Sequence, residues 1–196
     1  MVEHPQQQKI SVEEYLKLDQ TSEIRYEYID GYAYALAGGT AAHSLLAVNM
    51  IHLLNEQLQS GPCRVFNSDM RVQLSRRRYV YPDVVVSCDV ADSEGLNEIL
   101  RSPHLIVEIL SPTTELYDRV QKFSYYQELP SMQEYMLIST QRQMVEIYRR
   151  NGATWTYRRY YPGQTVELES LDIHIPFTAI YERVRVPIDD DEFLEE

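Results

Sequence analysis

The alternation of apolar and polar positions divides the chain into an early hairpin, two long helices and a β-rich second half. Ser11 with Glu14 three residues later forms a capping-box pattern and predicts a short helix over 11–18. Asp30-Gly31 lies between the alternating aromatic runs 25–29 and 32–36, a strong hairpin signal. Over 41–59, Leu46, Met50, Ile51, Leu54 and Leu58 recur three and four apart, giving a helix with one apolar face. Gly38-Gly39-Thr40 opens it and Gly61-Pro62 stops it. Extended segments are expected at 63–67, 70–74 and 79–87, then a charged loop with a short helix over 88–102. A strand over 104–110 leads through Ser111-Pro112-Thr113-Thr114 into a helix over 114–129. Strands at 134–139, 144–150, 154–160 and 171–175, an Asn151-Gly152 turn and a last helical turn over 177–182 complete the pattern. Strands mixed with two long helices define an α/β class with an α+β mixed sheet.

Two of the apolar runs carry one acid each. Asp83 interrupts Tyr79-Val80-Tyr81-Pro82-Asp83-Val84-Val85-Val86, and Glu108 interrupts Leu105-Ile106-Val107-Glu108-Ile109-Leu110. A carboxylate on a core strand costs several kcal/mol unless a metal, a proton or a cation compensates it. Two such strands imply that the acids meet around a shared ligand. Mg²⁺, or Mn²⁺ in its place, prefers hard oxygen donors and commonly sits on one or two carboxylates plus waters. Asp83 and Glu108 are therefore candidate metal ligands, with the Ile109 carbonyl as a third. Hydrolysis also calls for a cation near the attacking water, and Lys122 is the candidate. It stands four residues after Asp118 on one helical face that continues to Tyr125. The ordinary alternative is a surface Asp–Lys pair. Glu27, flanked by Tyr26 and Tyr28, and His43, near the start of the first long helix, are further catalytic candidates. The ordinary alternatives are an outward-facing strand glutamate and a structural histidine.

Composition narrows the class. The 196 residues suffice for one domain over 1–186, followed by a tail over 187–196 that carries six acids and has the composition of a disordered end. No run approaches the roughly 18 apolar residues of a membrane span, and no basic-then-apolar leader opens the chain, so a cytoplasmic location is expected. Cys63 and Cys88 show no metal-site spacing and are expected as buried thiols. A formal charge of −12 opposes general coating of nucleic acid. The clusters Arg76-Arg77-Arg78, Arg149-Arg150 and Arg158-Arg159 offer either a nucleic-acid face or solvated turns and strand edges.

The ordered set of motifs resembles the PD-(D/E)XK nuclease superfamily and, more narrowly, the restriction-endonuclease-like Uma-two family. The matching segments are Arg25-Tyr26-Glu27-Tyr28-Ile29-Asp30-Gly31, Gly38-Gly39-Thr40 with His43, and Tyr81-Pro82-Asp83-Val84-Val85-Val86. They continue with Val107-Glu108-Ile109-Leu110-Ser111-Pro112-Thr113-Thr114, Tyr117-Asp118-Arg119-Val120-Gln121-Lys122-Phe123 and Glu134-Tyr135. The resemblance implies a restriction-endonuclease-like core with flanking helices and extra C-terminal strands, Asp83 and Glu108 as metal ligands, and Glu27 as an additional acid. It departs from the superfamily pattern at Leu110, two residues after Glu108, where a lysine is expected; the resemblance moves that role to Lys122.

The leading expectation is a Mg²⁺- or Mn²⁺-dependent endonuclease that hydrolyses DNA phosphodiesters with metal-activated water. The alternative is a nuclease-fold protein without catalysis, serving as a nucleic-acid or protein interaction module, which the acidic charge favours. A glycoside hydrolase using the two acids as a pair carries small weight, because it leaves Lys122 unexplained. The 16 tyrosines suggest half-buried surface and a homodimer, which suits a double-strand cutter.

Overall fold

The computed structural model describes residues 9–94 and 98–186. The acidic tail therefore lies outside the described residues.

The chain opens with α1 (Val12–Thr21), whose Ser11 cap is the expected capping box: Glu14 N–H donates to Ser11 Oγ at 3.2 Å and Ser11 N–H to Glu14 Oε2 at 2.7 Å. The hairpin β1 (Tyr26–Ile29) and β2 (Tyr32–Ala35) follows, turning at Asp30 and Gly31 with φ of 51° and 108°. Left-handed backbone at both positions is what the Asp-Gly pair supplies. Helix α2 (Ala41–Leu58) is capped by Thr40 and buries Leu46, Met50, Leu54 and Leu58.

Next come β3 (Arg64–Asn67), β4 (Arg71–Ser75), β5 (Arg78–Val80), β6 (Val84–Ser87), α3 (Val90–Ser93), β7 (Ile99–Leu100) and β8 (Pro103–Leu110). The continuous strand expected over 79–87 is instead two strands in two different sheets. Its apolar run reads as unbroken, but Pro82 lacks a ladder donor and the chain changes sheet at Tyr81-Pro82-Asp83. The helix expected over 114–129 is also broken. A π-helical turn (Tyr117–Lys122) precedes α4 (Phe123–Gln127). The second half holds β9 (Glu134–Ser139), β10 (Val145–Asn151), β11 (Thr154–Tyr160), β12 (Thr165–Leu168), β13 (Ile173–Pro176) and α5 (Phe177–Ile180). The sequence pattern gave no signal for β7 or β12.

The strands form a five-stranded sheet in the order β2-β1-β5-β4-β7, a six-stranded sheet in the order β11-β10-β9-β8-β6-β3, and the pair β12-β13. In the six-stranded sheet β8 and β9 run parallel while their neighbours run antiparallel. A parallel pair needs a crossover. The π turn and α4 supply it, and this brings Lys122 back across the sheet. One face of the sheet packs Val84, Val86, Leu105, Val107 and Ile109 with the apolar side of α2. The other packs Val85, Ile106, Leu110, Tyr135 and Leu137 against Tyr125, Tyr126 and Leu129. Glu108 shares the parity of Ile106 and Leu110, so it points to the crossover side.

Cys63 and Cys88 are not free thiols: they form a disulfide. The register of β3 with β6 pairs Arg64 with Ser87, and one further step sets the two cysteines opposite each other. Reducing compartments ordinarily keep such bonds open. No helix among the described residues is long and apolar enough to cross a membrane.

Candidate active site

The pairing of β6 with β8 matches Val84 to Val107, Val85 to Ile106 and Val86 to Leu105. Continued one step, that register places Asp83 opposite Glu108 at the strand ends. Both acids line one cleft of about 730 Å³, together with Ile109, His43, Asp118 and Lys122. Asp83 is held from two sides. The Ile109 N–H donates to its Oδ2 at 2.7 Å, and His43 Nε2 stands 3.3 Å from the same oxygen.

His43 reaches this position from the first turn of α2, where Gly39 makes room. A Cβ on Gly39 would meet His43 Nδ1 at 2.9 Å. The hydrogen bond to Asp83 raises the imidazole pKa; burial lowers it, and the Asp83 charge and the Ile109 carbonyl add to the rise. The two groups expected to share a metal, the Asp83 carboxylate and the Ile109 carbonyl, therefore both face His43.

Lys122 is buried, not on the surface. Its Nζ lies 3.0 Å from Glu108 Oε1, 3.1 Å from Glu27 Oε1 and 3.5 Å from Asp118 Oδ1. Burial disfavours the ammonium, but Glu108, Glu27 and Asp118 outweigh it and hold its pKa well above the ordinary value. Glu27 likewise faces inward, against the ordinary reading of its strand. Its Oε1 accepts the Tyr81 N–H at 3.2 Å, linking β1 to the sheet crossing. Burial pushes the Glu108 carboxyl up to about 8; Lys122 opposes the rise, while Asp118, Asp83 and Glu27 add to it. Asp118 is raised as well, chiefly by burial. Three acids facing one buried lysine, with Asp83 close by, carry more negative charge than the lysine offsets, which is the electrostatic condition that recruits a proton or a cation.

All five expected catalytic residues thus come together, and the Ile109 carbonyl lies beside them. The sequence left three neighbours unassigned. Asp118 showed itself only as a helical partner of Lys122. Tyr126 donates its hydroxyl to Glu108 Oε1 at 2.7 Å, four residues beyond Lys122 on the same crossover, a spacing that offered a usable signal. Arg25 lines the cleft and holds Asp69, with its guanidinium 5.9 Å from the centre of the Tyr81 ring. The late arginine clusters behave as ordinary structural residues. Arg149 pairs with Glu134 at 2.7 Å, Arg150 donates to the carbonyls of Gln127, Leu129 and Met132, and Arg158 pairs with Glu167 at 2.6 Å.

Among the described residues, no three His, Cys, Asp or Glu side chains are arranged to hold a metal. Two carboxylates and a carbonyl nonetheless match what Mg²⁺ requires, because that ion keeps several waters and needs only one or two protein carboxylates. The donor set fits.

A mixed sheet with a helical crossover between its parallel strands, and acids gathered near the strand ends, defines an α/β protein with an acid-lined cleft. The chain belongs to the Uma2 family, described as "Putative restriction endonuclease", whose model it matches over residues 12–178. Two relatives come from Synechocystis sp. (strain ATCC 27184 / PCC 6803 / Kazusa). The uncharacterized protein slr1290 is 35% identical over 175 residues, covering 88% of this chain and 92% of the relative. The uncharacterized protein sll1609 is 30% identical over 162 residues, covering 82% and 92%. A crystal structure described as a putative nuclease belonging to DUF820, from Anabaena variabilis ATCC 29413, superposes with a TM-score of 0.75 at 20% identity. It covers 90% of this chain and 99% of its own.

Proposed function

We propose that this chain is a divalent-metal-dependent endonuclease of the PD-(D/E)XK type acting on DNA phosphodiesters, working as a homodimer. The observation that carries the proposal is the convergence of Asp83, Glu108 and buried Lys122 on one cleft. Membership of the Uma2 family supports it. Asp83, Glu108 and the Ile109 carbonyl would hold Mg²⁺ or Mn²⁺. The ion, when bound, lowers the pKa of a coordinated water and offsets phosphate charge.

The chain's own groups supply the rest. Lys122 keeps its proton among three acids and presents a fixed positive charge beside Glu108, where developing phosphate charge is stabilised. Glu27 ties that lysine to the Tyr81 backbone and so to the Asp83 segment. His43 orients Asp83 and, lining the same cleft, would serve a phosphate oxygen or a leaving group as proton donor. Plasmid incubated with the purified protein and Mg²⁺ or Mn²⁺ should be nicked and linearised, while Asp83→Ala and Lys122→Ala each lose at least about a hundredfold in rate. Equal cleavage by wild type and both variants removes the assignment.

A second reading, a catalytically silent interaction module, is favoured by the excess of acids in the cleft and the net charge of −12. In that case calorimetry detects no Mg²⁺ or Mn²⁺ binding while partner binding persists.

A further inference from the structure

Tyr126 stands apart from the other aromatic residues around the cleft because its hydroxyl has a carboxylate partner within the site. It is fully buried, and it donates to Glu108 Oε1 at 2.7 Å. Its ring packs at 5.0 Å, centre to centre, on Tyr135, whose own hydroxyl is tied to the Asp118 carbonyl at 3.0 Å. The side chain is thus held at both its ring and its polar end.

Lys122 reaches the same oxygen of Glu108 at 3.0 Å, but its ammonium is divided among Glu108, Glu27 and Asp118. Its pull on Glu108 alone is correspondingly weak in direction. Tyr126 is the donor dedicated to Glu108. Both donors hold Oε1 in place and neither bonds Oε2, while Glu108 itself lines the cleft.

We infer that Tyr126 is a positioning residue: its hydroxyl grips Glu108 by Oε1 so that Oε2 is offered to the divalent cation shared with Asp83. The inference rests on the metal-dependent reading above. Partners of this kind set the orientation and basicity of a ligand, and their loss typically weakens metal binding by about 10–100-fold.

Mn²⁺ titration by calorimetry on the full chain tests it with wild type, Tyr126→Phe, Tyr181→Phe and Asp83→Ala. Tyr126→Phe keeps the ring packed on Tyr135, and a circular dichroism melt checks that each variant is folded. Tyr181 is the control, a buried tyrosine whose hydroxyl bonds the Ser139 and Met144 carbonyls away from the cleft. Tyr126→Phe is expected to bind Mn²⁺ about tenfold more weakly or worse, with Tyr181→Phe unchanged and cleavage by Tyr126→Phe restored by excess Mn²⁺. Unchanged affinity in Tyr126→Phe, with binding lost in Asp83→Ala, overturns the positioning role and leaves the metal site standing. A wild type that takes up no Mn²⁺ overturns both.

Discussion

At the scale of single residues, the site is a buried charge cluster whose balance depends on pH. Glu108 is pushed up from 4.5 to about 8, mainly by burial. In the metal-free protein it therefore holds a proton over a range where the unfolded chain has released it. The stability it contributes is fully present below about 4.5 and is lost as pH rises through about 8. The raised His43 acts in the same direction from 6.5 upward. The stability from the raised Lys122 is fully present below 10.5 and falls only above it, so it leaves the trend near neutrality unaltered. The melting temperature of the metal-free protein should accordingly fall between pH 5 and pH 8, by several degrees. Differential scanning calorimetry checks this, and Glu108→Gln should flatten the slope. A melting temperature that rises over that interval contradicts the cluster as described.

At the scale of elements, the break in the crossover helix matters more than its length. The apolar spacing over 114–129 predicts one uninterrupted α-helix, and that spacing cannot report an extra residue in one turn. Tyr117–Lys122 is wound as a π turn, which inserts such a residue and changes the angle between Asp118 and the segment carrying Tyr126. Val120 lies on its outside at 61% exposure, so deleting it sacrifices little packing. Deletion should restore α winding and displace Asp118 and Lys122, which lie within the π turn, from their places beside Glu108. The expected outcome is a folded protein by circular dichroism with plasmid cleavage lost; full activity would mean that the π turn is incidental.

What local pattern did not reveal along the chain has physical causes of the same kind. Val80 and Val84 are both fully buried, so the run 79–87 keeps its apolar character through the sheet change, and Pro82 alone marks it. Glu27 gave no sign of being buried, because what compensates it, Lys122, is far away in sequence. Legible from the start were the Glu108 carboxylate on its buried strand, the Asp-Gly hairpin and the capping box, since each is specified by near neighbours. The cysteine bond was hidden because it depends on the pairing of β3 with β6, which no local pattern records.

At the scale of the whole molecule, the charge and the tyrosines bear on assembly. Nine of the 16 tyrosines are buried, in the Tyr15–Tyr28–Tyr79 cluster and around the crossover among other places, so the core absorbs much of the surplus that composition assigned to an interface. What remains outside includes Leu45 and Val48 on α2 and Leu116 and Val120 on the crossover, each at least 43% exposed. A double-strand cutter needs two clefts, and sedimentation velocity at micromolar concentration should show a dimer; monomer alone removes the paired-cutter reading while leaving a nicking activity possible.

The crossing at Tyr81-Pro82-Asp83 divides the cleft between two layers. Glu27 belongs to one sheet, Glu108 to the other, and Asp83 to the seam between them. Neither layer alone holds the acids around Lys122. A fragment retaining only the larger sheet would keep its layer of valines and isoleucines yet lose Glu27, and with it one of the three carboxylates that hold the Lys122 ammonium.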